Sequence, residues 1–213
     1  MSDTLKKAKN TDCQREALRK EVSPSNFDGN AIETAACSAA IDFAEQEWYS
    51  RDNEHGFIGA IMIKQIFDEN EKRQITRHIL ESLIEWFGIP EAREDYIEKS
   101  AGQLFFAAIE DSTPIGFLYL KETGKDTVEL YVMGVLKEYH RHGVGRGLFE
   151  AAKASALKNG YSFIQVKTVQ MDKYEEYDRT NQFYISMGFK EFELFPTLWD
   201  EWNPCQIYVM ALR

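Results

Sequence analysis

Along the 213 residues of this chain the apolar positions fall into two regimes. Up to about residue 56 the text is polar and alanine-rich. Within it, residues 30–49 open on a capping box of Asn30 and Glu33 and carry Ile32, Ala36, Ala39, Ala40 and Phe43 on one helical face. Pro24, Ser25, Asn26 and Gly29 ahead of that segment, and the polar residues 50–56 after it, read as loops. We therefore read residues 1–56 as a helical extension and residues 57–213 as one domain.

From Phe57 onward short apolar runs alternate with helical periodicity. Residues 58–66 read as an isoleucine-rich strand. Asp68 and Glu71 then open a helix on which Ile75, Ile79, Leu80, Leu83, Ile84 and Phe87 recur at steps of three and four, up to a stop at Gly88-Ile89-Pro90. A shorter helix follows over 91–100. Strands over 103–109, 114–121 and 127–136 are joined by links short enough for antiparallel hairpins. Residues 144–158 predict a helix with Leu148, Ala151, Ala152 and Ser155 inward and Asn159-Gly160 as its stop. A buried strand over 162–169, a helix over 179–187 and strands over 189–195 and 205–212 complete the chain. The order β-α-α-β-β-β-α-β-α-β-β predicts an α/β (α+β) domain with a mixed, mainly antiparallel central sheet flanked by helices.

Composition narrows the function classes. With 35 acidic against 25 basic residues the formal charge is −10, which opposes binding to nucleic acid or to an anionic membrane and favours a cationic substrate. Cys13, Cys37 and Cys205 have neither CxxC nor Cys/His ligand spacing, so no metal site or disulfide framework is expected. The polar start, residues 1–10, lacks the apolar stretch of a signal peptide, and no apolar run reaches membrane-spanning length. A cytoplasmic location is the expectation.

The most informative segment lies where the strand over 127–136 passes into the helix over 144–158. It reads His140-Arg141-His142-Gly143-Val144-Gly145-Arg146-Gly147. The first N–H groups of a helix have no partner inside it, and the macrodipole adds positive charge there, so an anion such as phosphate is stabilised. Gly143, Gly145 and Gly147 allow close backbone approach, and Arg141 and Arg146 add charge. The glycines could instead serve a tight turn alone. A dinucleotide-binding turn is excluded by its position after a β-meander, and a Walker loop by the lack of Gly-Lys-Ser or Gly-Lys-Thr.

This turn, its place after the meander, and the later Phe183-Tyr184-Ile185-Ser186-Met187-Gly188-Phe189 resemble the GNAT superfamily of acetyl-coenzyme A-dependent N-acetyltransferases. The family turn Gln/Arg-x-x-Gly-x-Gly/Ala maps onto His140, Arg141, His142, Gly143, Val144 and Gly145, with His140 as the departure. The segment 199–205, Trp-Asp-Glu-Trp-Asn-Pro-Cys, looks like a bacterial subgroup of undefined substrate.

The resemblance implies acetyl-coenzyme A as co-substrate, no metal, and direct acetyl transfer to an amine. The pantetheine arm would lie against Met133, Gly134 and Val135, where the strand splays from its neighbour. Gly134 fits a bulge or a close backbone approach, and a backbone N–H near Val135 would polarise the thioester carbonyl. Tyr184 maps to the tyrosine that protonates the departing thiolate. The family asparagine seven residues earlier is replaced by Tyr177, with Thr180 and Asn181 as candidate substitutes in the cofactor site. Glu129 is the candidate base, since alternation sets Glu129, Tyr131 and Met133 on one strand face. The acids of 172–178, read as a loop, could alternatively hold a cationic substrate. The acceptor reading is a small-molecule primary amine, with a protein or peptide amine or a non-enzymatic coenzyme A module as alternatives. The apolar face of residues 30–49 needs a cover, which the domain or a second copy in a homodimer could supply.

Overall fold

The computed structural model describes residues 46–48 and 61–212, all within the compact unit Glu45–Arg213. The helix expected over 30–49 otherwise lies outside the described residues. Its C-terminal end is corrected, because Gln46–Trp48 forms a strand, β1, paired antiparallel with Ile61–Ile63. Strand β2 (Ile61–Ile66) leads to helix α1 (Glu69–Glu81), which starts where predicted: Asp68 Oδ1 accepts the Glu71 N–H at 2.8 Å. Helix α1 ends six residues before the apolar periodicity does. Leu83 still enters the core and Trp86 and Phe87 pack against it, but the backbone between them is held by turns, Trp86 and Phe87 both donating to Leu83 O. Spacing alone cannot separate those turns from another helical turn. Helix α2 (Pro90–Ser100) begins on its proline, where a missing N–H removes no bond.

Strands β3 (Leu104–Glu110), β4 (Thr113–Gly124) and β5 (Thr127–Val135) form the expected meander. Its first turn is Asp111-Ser112, both at positive φ, the geometry of a tight hairpin. Helix α3 (Val144–Lys158) then crosses to β6 (Phe163–Val169), the parallel neighbour of β5. Helix α4 (Glu175–Ser186) starts four residues earlier than predicted: Glu175, Glu176 and Asp178 are not loop acids but its first turn, where carboxylates meet the positive end of the dipole. Strands β7 (Lys190–Asp200) and β8 (Asn203–Ala211) close the sheet, whose order is β1-β2-β3-β4-β5-β6-β8-β7.

One sheet face carries the stacked rings of Phe105, Phe117 and Tyr119, and the Tyr119 hydroxyl donates to Tyr96 O on α2. On the other face, where α3 packs, Leu148 and Phe149 are fully buried. Among the described residues no helix is long and apolar enough to cross a membrane, and no three His, Cys, Asp or Glu side chains group as metal ligands.

Candidate active site at a strand fork

Strands β5 and β6 pair only from Thr127↔Phe163 to Leu130↔Val166, although β5 continues to Val135 and β6 to Val169. Beyond Leu130 the two separate, and a fork opens in the middle of the sheet. The cause is local. At this point Tyr119 pairs with Val132 and Leu120 with Leu130, so Tyr131 is an extra residue, a bulge that bends β5 away.

The bulge also corrects one expectation and decides between the two alternatives of another. Met133 does not share a face with Glu129 and Tyr131, because the extra residue reverses the alternation: Met133 pairs with Leu118 and reaches the start of α3. Gly134 is not the bulge. A side chain there would stand 2.8 Å from Ile79 Cγ2 and 3.1 Å from Leu83 Cδ1, so Gly134 lets α1 lie close on the strand. Leu136 donates its N–H to Ile115 O on β4, and by alternation the peptide groups of Val135 and Met133 point away from β4, into the fork.

The glycine turn stands at the open end. Gly143 has φ 83° and is the N-cap of α3, with no side-chain cap and no acidic residue in the first turn. Arg141, at φ 70°, and Arg146 are exposed there, and Val144 is buried. A methyl group at Gly145 would stand 2.9 Å from Met133 Cε and 3.4 Å from the Phe183 ring, so this turn, β5 and α4 meet at one glycine. His140 folds back onto the strand end. Its Nε2 lies 2.7 Å from Val135 O and, a carbonyl being only an acceptor, Nε2 carries the proton. Its ring meets Trp86 edge-on at 6.0 Å. His142 Nδ1 is buried with no hydrogen-bond partner among the described residues, an orphan polar atom inside the turn.

Tyr184 follows Phe183 on α4 and is buried against Phe189 and Tyr208, its phenol pushed well above the ordinary range first by burial and then by neighbouring Tyr177. The hydroxyl has no hydrogen bond within the described residues. Asn181 is placed differently from the cofactor contact expected of it. It is fully buried, its Nδ2 donates to Val169 O at 2.9 Å and Tyr177 O at 2.7 Å, and its Oδ1 accepts from Tyr208 at 2.8 Å. The bonds to Val169 and Tyr208 fasten α4 onto β6 and β8, and the bond to Tyr177 O stays within α4. Thr180 bonds back to Glu176 O within its own helix.

Glu129 is 5 % exposed, opposite Gln165 at the last paired stretch before the fork. Its Oε2 accepts from Lys167 Nζ at 2.6 Å and lies 3.5 Å from Gln165 Nε2. Sequence reasoning passed over Lys167, though a lysine between Val166 and the buried Thr168 and Val169 was a visible signal. It also passed over Trp86. Trp86 Nε1 donates to Glu176 O at 3.4 Å and Trp86 O accepts from Tyr177 Oη at 3.2 Å, so the stretch after α1 is clasped to the start of α4.

A parallel pair that forks within an otherwise antiparallel sheet, closed by an uncapped glycine turn, defines a class of protein. Residues 101–191 match the family model described as an acetyltransferase (GNAT) domain. It is similar to the mycothiol acetyltransferase of Jonesia denitrificans, 36 % identical over 87 residues that make up 39 % of this chain and 26 % of that protein. The chain thus spans about a quarter of the length of the curated relative it matches. Among solved structures it is similar to a GNAT-family protein of Desulfovibrio desulfuricans, at TM-score 0.63 and 19 % identity over 72 % of this chain and all of that one. The PaiA N-acetyltransferase of Thermoplasma acidophilum, solved with coenzyme A, gives TM-score 0.53 at 20 % identity over 69 % of this chain and 97 % of that one. Likeness at such identity speaks for the fold.

Proposed function

We propose that the domain transfers the acetyl group of acetyl-coenzyme A to a primary amine of a small molecule by direct attack. The observation that carries this reading is the fork together with the turn at its end: the N–H groups of Met133 and Val135, turned away from β4 where β5 and β6 no longer pair, beside an uncapped helix start. The residues present fit the co-substrate. N–H groups in the first turn of α3 have no side-chain cap, Gly145 leaves no room for a side chain of its own, and the orphan His142 Nδ1 lies in the same turn. Residues 140–146 would hold the pyrophosphate, and Met133, Gly134 and Val135 the arm, Gly134 through its backbone.

When bound, acetyl-coenzyme A supplies an activated acyl group. Val135 N–H donates toward the carbonyl oxygen, where negative charge grows during attack. Glu129 receives the proton of the acceptor ammonium. Tyr184 donates its phenolic proton to the departing sulfur, a role that burial favours because it holds the phenol in its protonated form. Residues 1–56 carry none of these groups. The test is release of free thiol from acetyl-coenzyme A across a panel of polyamines, aminoglycosides, amino acids and peptides. Turnover confined to peptides would move the acceptor class to protein amines, and absence of turnover with tight coenzyme A binding would make this a non-enzymatic coenzyme A module.

A further inference from the structure

We propose that Lys167 is the positioning residue of the reaction: it holds the Glu129 carboxylate at the base of the β5/β6 fork with one oxygen turned to the acceptor amine. The inference rests on the reading of Glu129 as the group that receives the amine proton. Three observations support it. The Lys167–Glu129 pair crosses from β6 to β5 directly at the fork, since Leu130↔Val166 is the last pair and Lys167 is the next residue. As a tie between strands it would be redundant, because Glu129 and Gln165 are already partners in the ladder. Both side-chain contacts fall on one oxygen, Oε2, so Oε1 bonds to no described residue. Two contacts on one oxygen fix the plane of a carboxylate and leave its other oxygen available.

The pair is also unequal in burial. The Glu129 side chain is 6 % exposed and that of Lys167 27 %, so the carboxylate sits inside with the cation reaching in from the rim. A buried carboxylate keeps its charge only against a partner. Other groups face it too. Tyr131 follows on β5, and Lys121 is its partner on β4, its ammonium 4.4 Å from the centre of the Tyr131 ring. Tyr96 faces it from α2 and Cys205 from β8, while the Lys99–Asp95 pair lies beside Tyr131, with Lys99 Nζ 6.0 Å from the centre of its ring. Lys167 is the cation that touches it. In the step itself, the acceptor ammonium gives one proton to Oε1, its nitrogen forms the bond to the acetyl carbon, and the second proton that nitrogen must lose to become an amide passes to solvent, from which the Tyr184 phenolate is reprotonated. The carbon–sulfur bond breaks, and the sulfur leaves with the proton of Tyr184.

The test uses the full chain with Lys167→Met, Lys167→Gln and Lys167→Arg. Thiol release is measured against pH with whichever amine the wild type turns over. The Met and Gln variants should lose on the order of 100-fold in kcat/KM at neutral pH, the scale of a misplaced catalytic group. Their acid limb should move to higher pH, since a buried carboxylate without its cation holds a proton longer. Arg should restore most of the rate, and adding Glu129→Gln to Lys167→Met should cost little more, because the two act as a unit. An unchanged or raised kcat/KM, a loss with the acid limb in place, or fully additive losses would each overturn the proposal. Should the wild type turn over no amine, the acetyl-transfer reading fails on its own. The pair is then read by ¹³C titration of the Glu129 carboxylate, and a midpoint equal in wild type and Lys167→Gln would overturn its dependence on Lys167.

Discussion

Helix α1 meets its own first-turn demand, with Asp68 Oδ1 on the Glu71 N–H and Glu69 and Glu71 against the dipole, whereas α3 begins at Gly143 with no side-chain cap and no acid, between Arg141 and Arg146. Helix α4 stands between them, without a side-chain cap but with Glu175, Glu176 and Asp178 in its first turn. Each start has the same unpartnered N–H groups and the same partial positive charge. What differs is whether the chain answers them. Where side chains do so, the helix is anchored; where glycines and arginines stand instead, the chain leaves the demand unanswered, and the function proposed above gives it to the pyrophosphate of acetyl-coenzyme A.

That contrast breaks most completely at α3 itself. Replacing Gly143 with valine and Gly145 with leucine should abolish coenzyme A binding, since the first needs φ 83° and the second would meet Met133 and Phe183. Calorimetry on the folded double variant measures it, and retained affinity would show that the anion lies elsewhere. Next in size is Tyr184→Phe, which should lower kcat by roughly 10²- to 10⁴-fold with little change in cofactor affinity. For the wild type, the rate limb belonging to this acid should lie above the ordinary phenol value of about 10, because burial raises it. A limb at or below that value would remove Tyr184 as the proton donor.

Smaller effects sharpen the comparison. Arg146→Glu gives α3 the acid that α1 already has, so coenzyme A affinity should fall by about tenfold, the worth of one contact to a charged group. Thermal melting of the same variant should show no loss of stability, as the new carboxylate answers the dipole. The converse is Asp68→Ala, which should cost about 1 kcal/mol of stability by removing a cap while cofactor affinity stays as it was. Loss of affinity there would mean that the two helix starts are not independent.

Nearly all the element order of the domain was legible as text, because apolar period, caps and turn residues are local properties. The bounds of α3 and the glycine turn came out as predicted for that reason: Gly143, Gly160 and Gly188 all adopt positive φ at the ends of helices. The acids of α4 misled because a charge run looks the same in a loop and on a helix start. Periodicity past Glu81 misled because turns can also bury every third or fourth side chain.

Sequence by itself determined the α/β order and made residues 140–147 the candidate anion site and Tyr184 and Glu129 candidate catalytic groups. The order, the turn and the strand alternation behind Glu129 follow from neighbours within a few positions, and Tyr184 from the family resemblance. Tertiary structure alone decided that Asn181 fastens α4 instead of facing a ligand, that Gly134 admits α1, that the bulge at Tyr131 turns Met133 to the opposite face, and that Lys167 reaches Glu129. All four depend on which strand lies beside which and in what register. A side chain's chemistry is written in its residue type, but its partner is set by a pairing between segments far apart in the chain, and one extra residue in that pairing reverses which side it faces.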